Sequence, residues 1–170
     1  MANINAADVA KLRRLTGAGM LDCKKALEEA DGDFEKAQEI VRKRGQAIAN
    51  KRADREATEG VVLAKVSADK KTGMMIALNC ETDFVAKNAD FIGLAGSILD
   101  IALANNPKDL DELKNLTIDG MKVSDKVTER SGITGEKFEL SYFGRINAEA
   151  VQPYIHPGNK LATLVGFSKV

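Results

Sequence analysis

Few residues of this sequence have the chemistry to act on a bound molecule. His156 is the only histidine, and it lies in Tyr154-Ile155-His156-Pro157-Gly158-Asn159, a composition typical of a turn. A Ser-His-Asp or Cys-His arrangement would have to use this one imidazole, together with a second group that orients it. Because no such group is evident, we identify no catalytic residue and do not expect an enzyme.

The sequence also contains no recognisable motif for binding a metal or a cofactor. The two cysteines, Cys23 and Cys80, form no CxxC motif, so a conventional zinc site lacks ligands. Glu81 and Asp83 resemble a carboxylate pair, but nothing nearby completes a metal or acid–base site. The segment Gly17-Ala18-Gly19 lacks the Lys-Ser/Thr of a phosphate-binding loop. We therefore expect no metal and no cofactor, and we interpret both thiols as small buried side chains.

The segment that draws attention is Asn79-Cys80-Glu81-Thr82-Asp83-Phe84-Val85-Ala86-Lys87-Asn88, which joins a predicted strand to a predicted helix. In one interpretation Thr82 or Asp83 caps the helix and Phe84 folds back into the core. In the other, a rigid loop offers an acidic group and an exposed aromatic ring together, which suits insertion into a partner's pocket. Periodicity does not choose between the two.

Composition narrows the class of protein. Of the 170 residues, 44% are hydrophobic and 29% charged, which is ordinary globular composition and argues against a disordered tail. The 25 basic residues balance the 25 acidic residues, so direct binding of nucleic acid is not expected. No apolar run approaches the ~18 residues of a membrane span, and residues 1–5 carry no leader pattern. These features favour a cytoplasmic protein without a membrane partner.

Residues 1–45 form the first predicted domain, in which residues 4–45 make three short helices. Asn5 caps the first helix, Asp33 caps the third, and Gly45 is interpreted as the third helix's C-terminal stop. The predicted apolar faces contain Val9 and Leu12; Cys23, Ala26, Leu27 and Ala30; and Phe34, Ala37, Ile40 and Val41. A core this small indicates a docking module. Residues 46–59, rich in charge and alanine, are predicted to be a helical linker.

Residues 60–170 predict an α+β domain with a mainly antiparallel sheet. A hairpin opens it, with Val62, Ala64 and Val66 on one face of its first strand and Met74, Ile76, Leu78 and Cys80 on one face of its second. Amphipathic periodicity predicts a helix whose inner face carries Phe91, Leu94, Ala95, Ile98, Leu99 and Ala102. Helical stretches at 110–116 and 124–130 and strands at 137–142, 151–155 and 161–167 complete the prediction. Pro153 favours a sheet edge for the middle strand.

Two segments resemble the hallmark sequences of one family. They are Leu12-Arg13-Arg14-Leu15-Thr16-Gly17-Ala18-Gly19-Met20-Leu21-Asp22-Cys23-Lys24-Lys25-Ala26-Leu27 and residues 80–88. In this order, and at a similar separation, they resemble elongation factor Ts. The resemblance runs from about residue 3 to the end of the chain. It implies that the three helices form a ubiquitin-associated-like module and that residues 60–170 form part of the family's dimerisation core.

The resemblance also implies a function. Family members bind elongation factor Tu carrying GDP and speed GDP release, so the implied activity is guanine-nucleotide exchange in translation elongation. The loop Thr82-Asp83-Phe84-Val85 would disturb the Mg²⁺ site of that GTPase, with Phe84 wedged into an apolar pocket and Asp83 acting near the magnesium. By the same resemblance, the partner-binding residues of the module and linker are Arg13, Met20, Leu21, Lys24 and Arg52.

Alternatives remain open at this point. Met20 and Leu21 could be ordinary core residues. Longer family members continue with a second core subdomain, whereas this chain ends at Val170. It is then either part of a longer protein or a short form completed by a second copy in a homodimer. A separate hypothesis rests on residues 4–45 alone, and it makes the chain an adaptor that binds ubiquitin or nascent chains.

Overall fold

The computed structural model of the chain describes residues 4–169. Its elements, in chain order, are α1 (Ala6–Thr16), α2 (Met20–Glu29), α3 (Phe34–Lys51), β1 (Glu59–Val66), β2 (Thr72–Cys80), α4 (Asp83–Ala86), α5 (Ala89–Asn105), α6 (Leu110–Asn115), β3 (Thr117–Ile118), β4 (Met121–Lys122), α7 (Val123–Thr134), β5 (Glu139–Asn147), β6 (Ala150–Ile155) and β7 (Ala162–Phe167). In the described part of the chain the strands pair as β1-β2-β5, β3-β4 and β6-β7, each antiparallel. The predicted α+β class with an antiparallel sheet is confirmed.

The chain divides into two compact units. Within the described residues, the first holds residues 4–54 and Thr128–Glu136, and the second holds Arg55–Val127 and residues 137–169. The C-terminal half of α7 therefore packs with the three N-terminal helices, although more than seventy residues separate it from them in sequence.

The caps of the first unit agree with the sequence. Asn5 Oδ1 accepts a hydrogen bond from the Asp8 amide at 2.8 Å, and Asp33 Oδ1 accepts one from the Lys36 amide at 3.1 Å. Each side chain satisfies an amide that the helix itself leaves without an acceptor. The buried core of this unit consists of Val9, Leu12, Ala18, Cys23, Ala26, Leu27, Ala30, Ala37 and Val41, with Ile4, Phe34 and Ile40 packed against it.

Gly45 does not end α3, so that part of the prediction is wrong. The helix continues to Lys51, and Gly45 is buried within it. A Cβ added at Gly132 of α7 would collide with the Gly45 backbone. Gly45 therefore lies at a close helix crossing, where a side chain at position 132 of α7 would push the two helices apart. Of the predicted linker, residues 46–51 are helical, and Glu59 already belongs to β1.

The second unit is built on the sheet β1-β2-β5. One face of β2 presents Met74, Ile76, Leu78 and Cys80, and α5 presents the six predicted apolar residues, Phe91, Leu94, Ala95, Ile98, Leu99 and Ala102; all ten are buried in one core. The opposite face is covered by the β6-β7 hairpin, because a Cβ built at Gly73 would lie against Val151 and Leu164. Val62, Ala64 and Val66 share this second face, in register with Ala77, Met75 and Gly73.

Some elements differ from the sequence prediction. The hairpin β3-β4 was not anticipated, because two residues on each side of Asp119-Gly120 are too few to show an alternating pattern. Both turn residues have positive φ, 50° and 80°. The helix predicted at 124–130 spans Val123–Thr134, and the strand predicted at 137–142 spans Glu139–Asn147. Pro153 lies in β6, which pairs on one side only, as expected for an edge strand.

The helix crossing gives a stability prediction. Gly132→Ala introduces a methyl group against the Gly45 backbone, and we expect overpacking to lower the free energy of unfolding by about 1–3 kcal/mol. Gly93→Ala in α5 is the matched control, since nothing lies within 4 Å of the added methyl group, and it should stabilise the protein by about 0.5–1 kcal/mol. Urea unfolding measures both variants. A Gly132→Ala protein as stable as the Gly93→Ala protein would contradict the close crossing.

Candidate protein-interaction site

A single helical turn, α4, joins the central strand β2 to the long helix α5. β2 ends at Cys80, α4 spans Asp83–Ala86, and α5 begins at Ala89. Thr82 Oγ1 accepts a hydrogen bond from the Val85 amide at 3.4 Å, which caps the turn. The Asn88 side chain then accepts from the Asp90 amide at 2.8 Å and caps α5. Two successive caps set where each helix starts.

Further contacts fix the turn to the body of its unit. The Cys80 thiol donates to the Thr82 carbonyl at 3.2 Å, and Glu81 Oε1 accepts from the Lys137 amide at 2.7 Å. Ala86 is buried in the core, and Val85 packs against the core's edge. These contacts hold the backbone on both sides of Phe84. The turn is therefore fixed in place between β2 and α5.

Phe84 itself is exposed. Its side chain is 83% exposed, the largest value among the exposed large hydrophobic residues of the described chain. The interpretation in which Phe84 folds back into the core is therefore wrong, whereas the capping role of Thr82 is correct. An aromatic ring held on a fixed turn and surrounded by solvent has the properties of an anchor for a partner's apolar pocket.

Asp83 lies beside Phe84 and forms an ion pair with Lys87, with 2.8 Å between Oδ2 and Nζ. The Lys87 hydrogen bond and charge lower the pKa of Asp83 below the ordinary range of an aspartate, and the charge of Lys160 adds to this effect. The same hydrogen bond raises the pKa of Lys87, with a further contribution from the charge of Glu59. Asp83 therefore presents a negative charge at neutral pH.

A second ion pair stands near the first. Lys160 pairs with Glu59 and also donates to the Gly60 carbonyl at 3.0 Å. This pair could not be predicted from the sequence, because its members are 101 positions apart. The pairing of Asp83 with Lys87 has a signal in the sequence, since acidic and basic residues four positions apart on a helix are neighbours.

In the first unit, three of the five expected partner-binding residues lie together. Met20 and Leu21 are 44% and 63% exposed, so neither is an ordinary core residue. With Lys24 they line a groove of about 470 Å³, whose other lining residues are Ile4, Asn5, Ala6 and Val9. Lys24 also lies 3.8 Å from Glu28. The groove is apolar with a cation at its side.

Arg13 and Arg52 do not line this groove. Arg13 is an exposed residue of the last turn of α1, and Arg52 is the half-buried residue that follows the last turn of α3. Both belong to the first unit, whereas Thr82, Asp83, Phe84 and Val85 belong to the second. The expected site residues are thus divided between the two units.

Other kinds of site have little support in the described residues. Residues 4–169 contain no group of three or more His, Cys, Asp or Glu side chains that could hold a metal ion. Cys23 and Cys80 are both buried, as expected, and neither forms a disulfide. None of the helices described is long and apolar enough to cross a bilayer. An exposed aromatic turn and an apolar groove are features common to protein-binding surfaces.

Comparison with known proteins identifies the family. A family model described as elongation factor TS matches residues 81–170. The chain is 53% identical to elongation factor Ts of Christiangramia forsetii over 169 residues, 56% identical to that of Amoebophilus asiaticus over 162, and 53% identical to that of Bacteroides thetaiotaomicron over 167. The chain belongs to the elongation factor Ts family.

The relatives are longer than the chain. The matched regions are 99%, 95% and 98% of this chain but only 61%, 58% and 50% of the three relatives. The chain therefore spans 50–61% of the length of these three relatives. The segment from Thr82 to Val85 lies inside the region that the family model matches.

The electrostatics of the turn can be tested by titration. Lys87→Met should raise the pKa of Asp83, because Lys87 supplies the largest effects that lower it. Since the pKa is lower in the folded state, ionised Asp83 stabilises the fold above the unfolded-state pKa, and this stabilisation is lost as the pH falls through the folded-state value. NMR titration of the Asp83 carboxyl carbon measures the midpoint.

Lys43→Met is the control for this titration. Lys43 holds Glu39 in a similar pair at 2.9 Å on α3, and its hydrogen bond lowers the pKa of Glu39. The control should move the Glu39 midpoint and leave that of Asp83 unchanged. An Asp83 midpoint indifferent to Lys87→Met would show that the pair does not form in solution.

Proposed function

We propose that this chain acts as a guanine-nucleotide exchange factor, which binds elongation factor Tu carrying GDP and promotes GDP release during translation elongation in the cytoplasm. The observation that carries the proposal is Phe84, 83% exposed on a capped turn within the family-matched segment. Nucleotide exchange forms and breaks no covalent bond. An exposed aromatic ring on a fixed turn can therefore promote it through contacts alone. The factor is accordingly not proposed to be an enzyme that transforms a substrate chemically.

In the proposed mechanism, the turn from Thr82 to Val85 disturbs the Mg²⁺ and nucleotide site of the GTPase. Phe84 enters an apolar pocket, and Asp83 brings its negative charge close to the magnesium region. A bound Mg²⁺ joins nucleotide phosphate to protein oxygens, so displacing it removes much of the electrostatic hold on GDP. Each tenfold gain in release needs a barrier lower by only about 1.4 kcal/mol, which is within the worth of one buried aromatic ring.

The groove in the first unit gives the proposed second contact. Met20 and Leu21 offer exposed apolar surface and Lys24 a cation, while Arg13 and Arg52 add basic charge elsewhere in that unit. This surface would contribute affinity, whereas the turn would act on the nucleotide. Binding must be reciprocal, because a factor that weakens GDP binding is itself weakened by GDP in the same ratio. Incoming nucleotide then expels the factor.

The wedge is tested with Phe84→Ala. We expect the variant to lose at least about tenfold in stimulated release of a fluorescent GDP analogue from elongation factor Tu, since truncating an anchor residue costs ~2 kcal/mol or more. Thermal stability should be unchanged, because the ring contributes little burial. Phe167→Ala is the matched control, a phenylalanine 47% exposed on β7. Exchange retained by Phe84→Ala, or a collapse in its stability, would refute the wedge.

The groove is tested with Leu21→Ser. Loss of the leucine side chain should weaken binding to elongation factor Tu by about tenfold, which corresponds to ~1.4 kcal/mol. The fold should persist, because Leu21 is exposed. Leu15→Ser removes a similarly exposed leucine of α1 and should bind normally. Calorimetry gives both affinities, and light scattering tells whether one copy of the chain or two bind. Retention of ubiquitin with no binding of the GTPase would favour the adaptor hypothesis instead.

A further inference from the structure

The turn that presents Phe84 is too short to be stable by itself. Four residues make one helical turn, and a first turn fixes several dihedral angles in return for very few hydrogen bonds. Its inner side is secured by Ala86 in the core and by the Thr82 cap. Its outer side, which carries Asp83 and Phe84, has no core contact through Phe84. The backbone there is closed by a hydrogen bond of 3.1 Å from the Lys87 amide to the Asp83 carbonyl, but this bond does not restrain the Asp83 side chain.

The Asp83–Lys87 ion pair spans that outer side. Asp83 is the first residue of α4, and Lys87 is the residue that follows its last, so their side chains, 2.8 Å apart, add a second link between two residues that the backbone already joins. An acidic residue four positions before a basic one is the favourable orientation on a helix. Phe84 follows Asp83 directly, so a closed turn also restricts the direction in which the ring leaves the backbone.

Neighbouring charges support the pair. Lys160 acts on Asp83 and Glu59 acts on Lys87, each with the sign that favours the charged form. Lys160 and Glu59 are themselves anchored, by their mutual ion pair and by the Lys160 hydrogen bond to Gly60. The loop that carries Lys160 is joined to β1 by a hydrogen bond of 2.8 Å from the Val62 amide to the Asn159 carbonyl. The charges alternate in sign and stand on fixed backbone.

We propose that Lys87 is a positioning residue for nucleotide exchange: its ammonium group holds the Asp83 carboxylate across the outer side of the α4 turn, so that Asp83 and Phe84 meet the GTPase already in one arrangement. The inference rests on the proposed function and adds a residue that acts through another rather than on the nucleotide. Preorganisation lowers the ordering cost of binding. We therefore expect that replacing Lys87 raises the KM for the GTPase and leaves kcat, the rate at saturation, unchanged.

A double-mutant cycle tests this assignment. Asp83→Asn, Lys87→Met and the double variant are compared with the wild-type chain in stimulated GDP release. An exposed ion pair has a modest worth, so Lys87→Met should lower kcat/KM by about two- to fivefold, through KM, with kcat retained. Lys87→Arg should restore the wild-type value. In the Asp83→Asn background Lys87→Met should change little further, because its partner is already lost.

Lys43→Met again serves as the matched control, since it breaks an ion pair of the same spacing on α3 and should leave exchange unchanged. The assignment is overturned if Lys87→Met exchanges as the wild type does, if Lys43→Met loses as much, or if the losses from Asp83→Asn and Lys87→Met simply add. Additive losses would mean that Lys87 touches the partner itself.

The two proposals can fail separately. If the wild-type chain does not accelerate GDP release at all, the proposed function fails, and the positioning role is then judged in the isolated chain. Side-chain NMR relaxation of Phe84 provides that measurement. Greater ring mobility in Lys87→Met, reversed in Lys87→Arg, supports the positioning role, and unchanged mobility overturns it.

Discussion

Burial of β2 against α5 is the contact on which the candidate site depends. Met74, Ile76, Leu78 and Cys80 pack with the inner face of α5, and each fully buried large side chain contributes about 1.5–3 kcal/mol. This core fixes the end of the strand and the start of the helix, so the eight residues between Cys80 and Ala89 must cross a set distance. A capped single turn satisfies that constraint, and it leaves Phe84 in solvent.

Polar contacts then hold the connection between β2 and α5 in one conformation. The Thr82 cap, the Cys80 thiol and the Glu81 carboxylate hold the backbone of the connection, while Lys87 holds Asp83. None of these contacts buries the aromatic ring, so its apolar surface remains available to a partner. The fold thus separates two features: the large core provides a rigid support, and the small turn carries the groups that we propose to act on the GTPase. A second surface, the groove of Met20, Leu21 and Lys24, belongs to the other unit.

The sequence predicted those elements whose own residues determine them. The inner face of α5 followed from its periodicity, and the caps at Asn5 and Asp33 followed from residue type. Contacts between distant segments were not predictable. Gly45 suggested a helix end because its partner, Gly132, lies far along the chain, and the pair of Glu59 with Lys160 joins opposite ends of one unit. At Phe84 burial and exposure were equally consistent with the sequence, and only the packed structure decided between them. The family resemblance alone supplied a target for the exposed ring.

The proposal on which the others rest is that this chain loosens GDP from elongation factor Tu. The most direct measurement follows the release of a fluorescent GDP analogue from the Mg²⁺-loaded GTPase as the concentration of wild-type chain is raised, with excess unlabelled GDP present. We predict a release rate that rises with chain concentration and then saturates. A rate that stays at its unstimulated value up to the highest concentration of folded chain would contradict it.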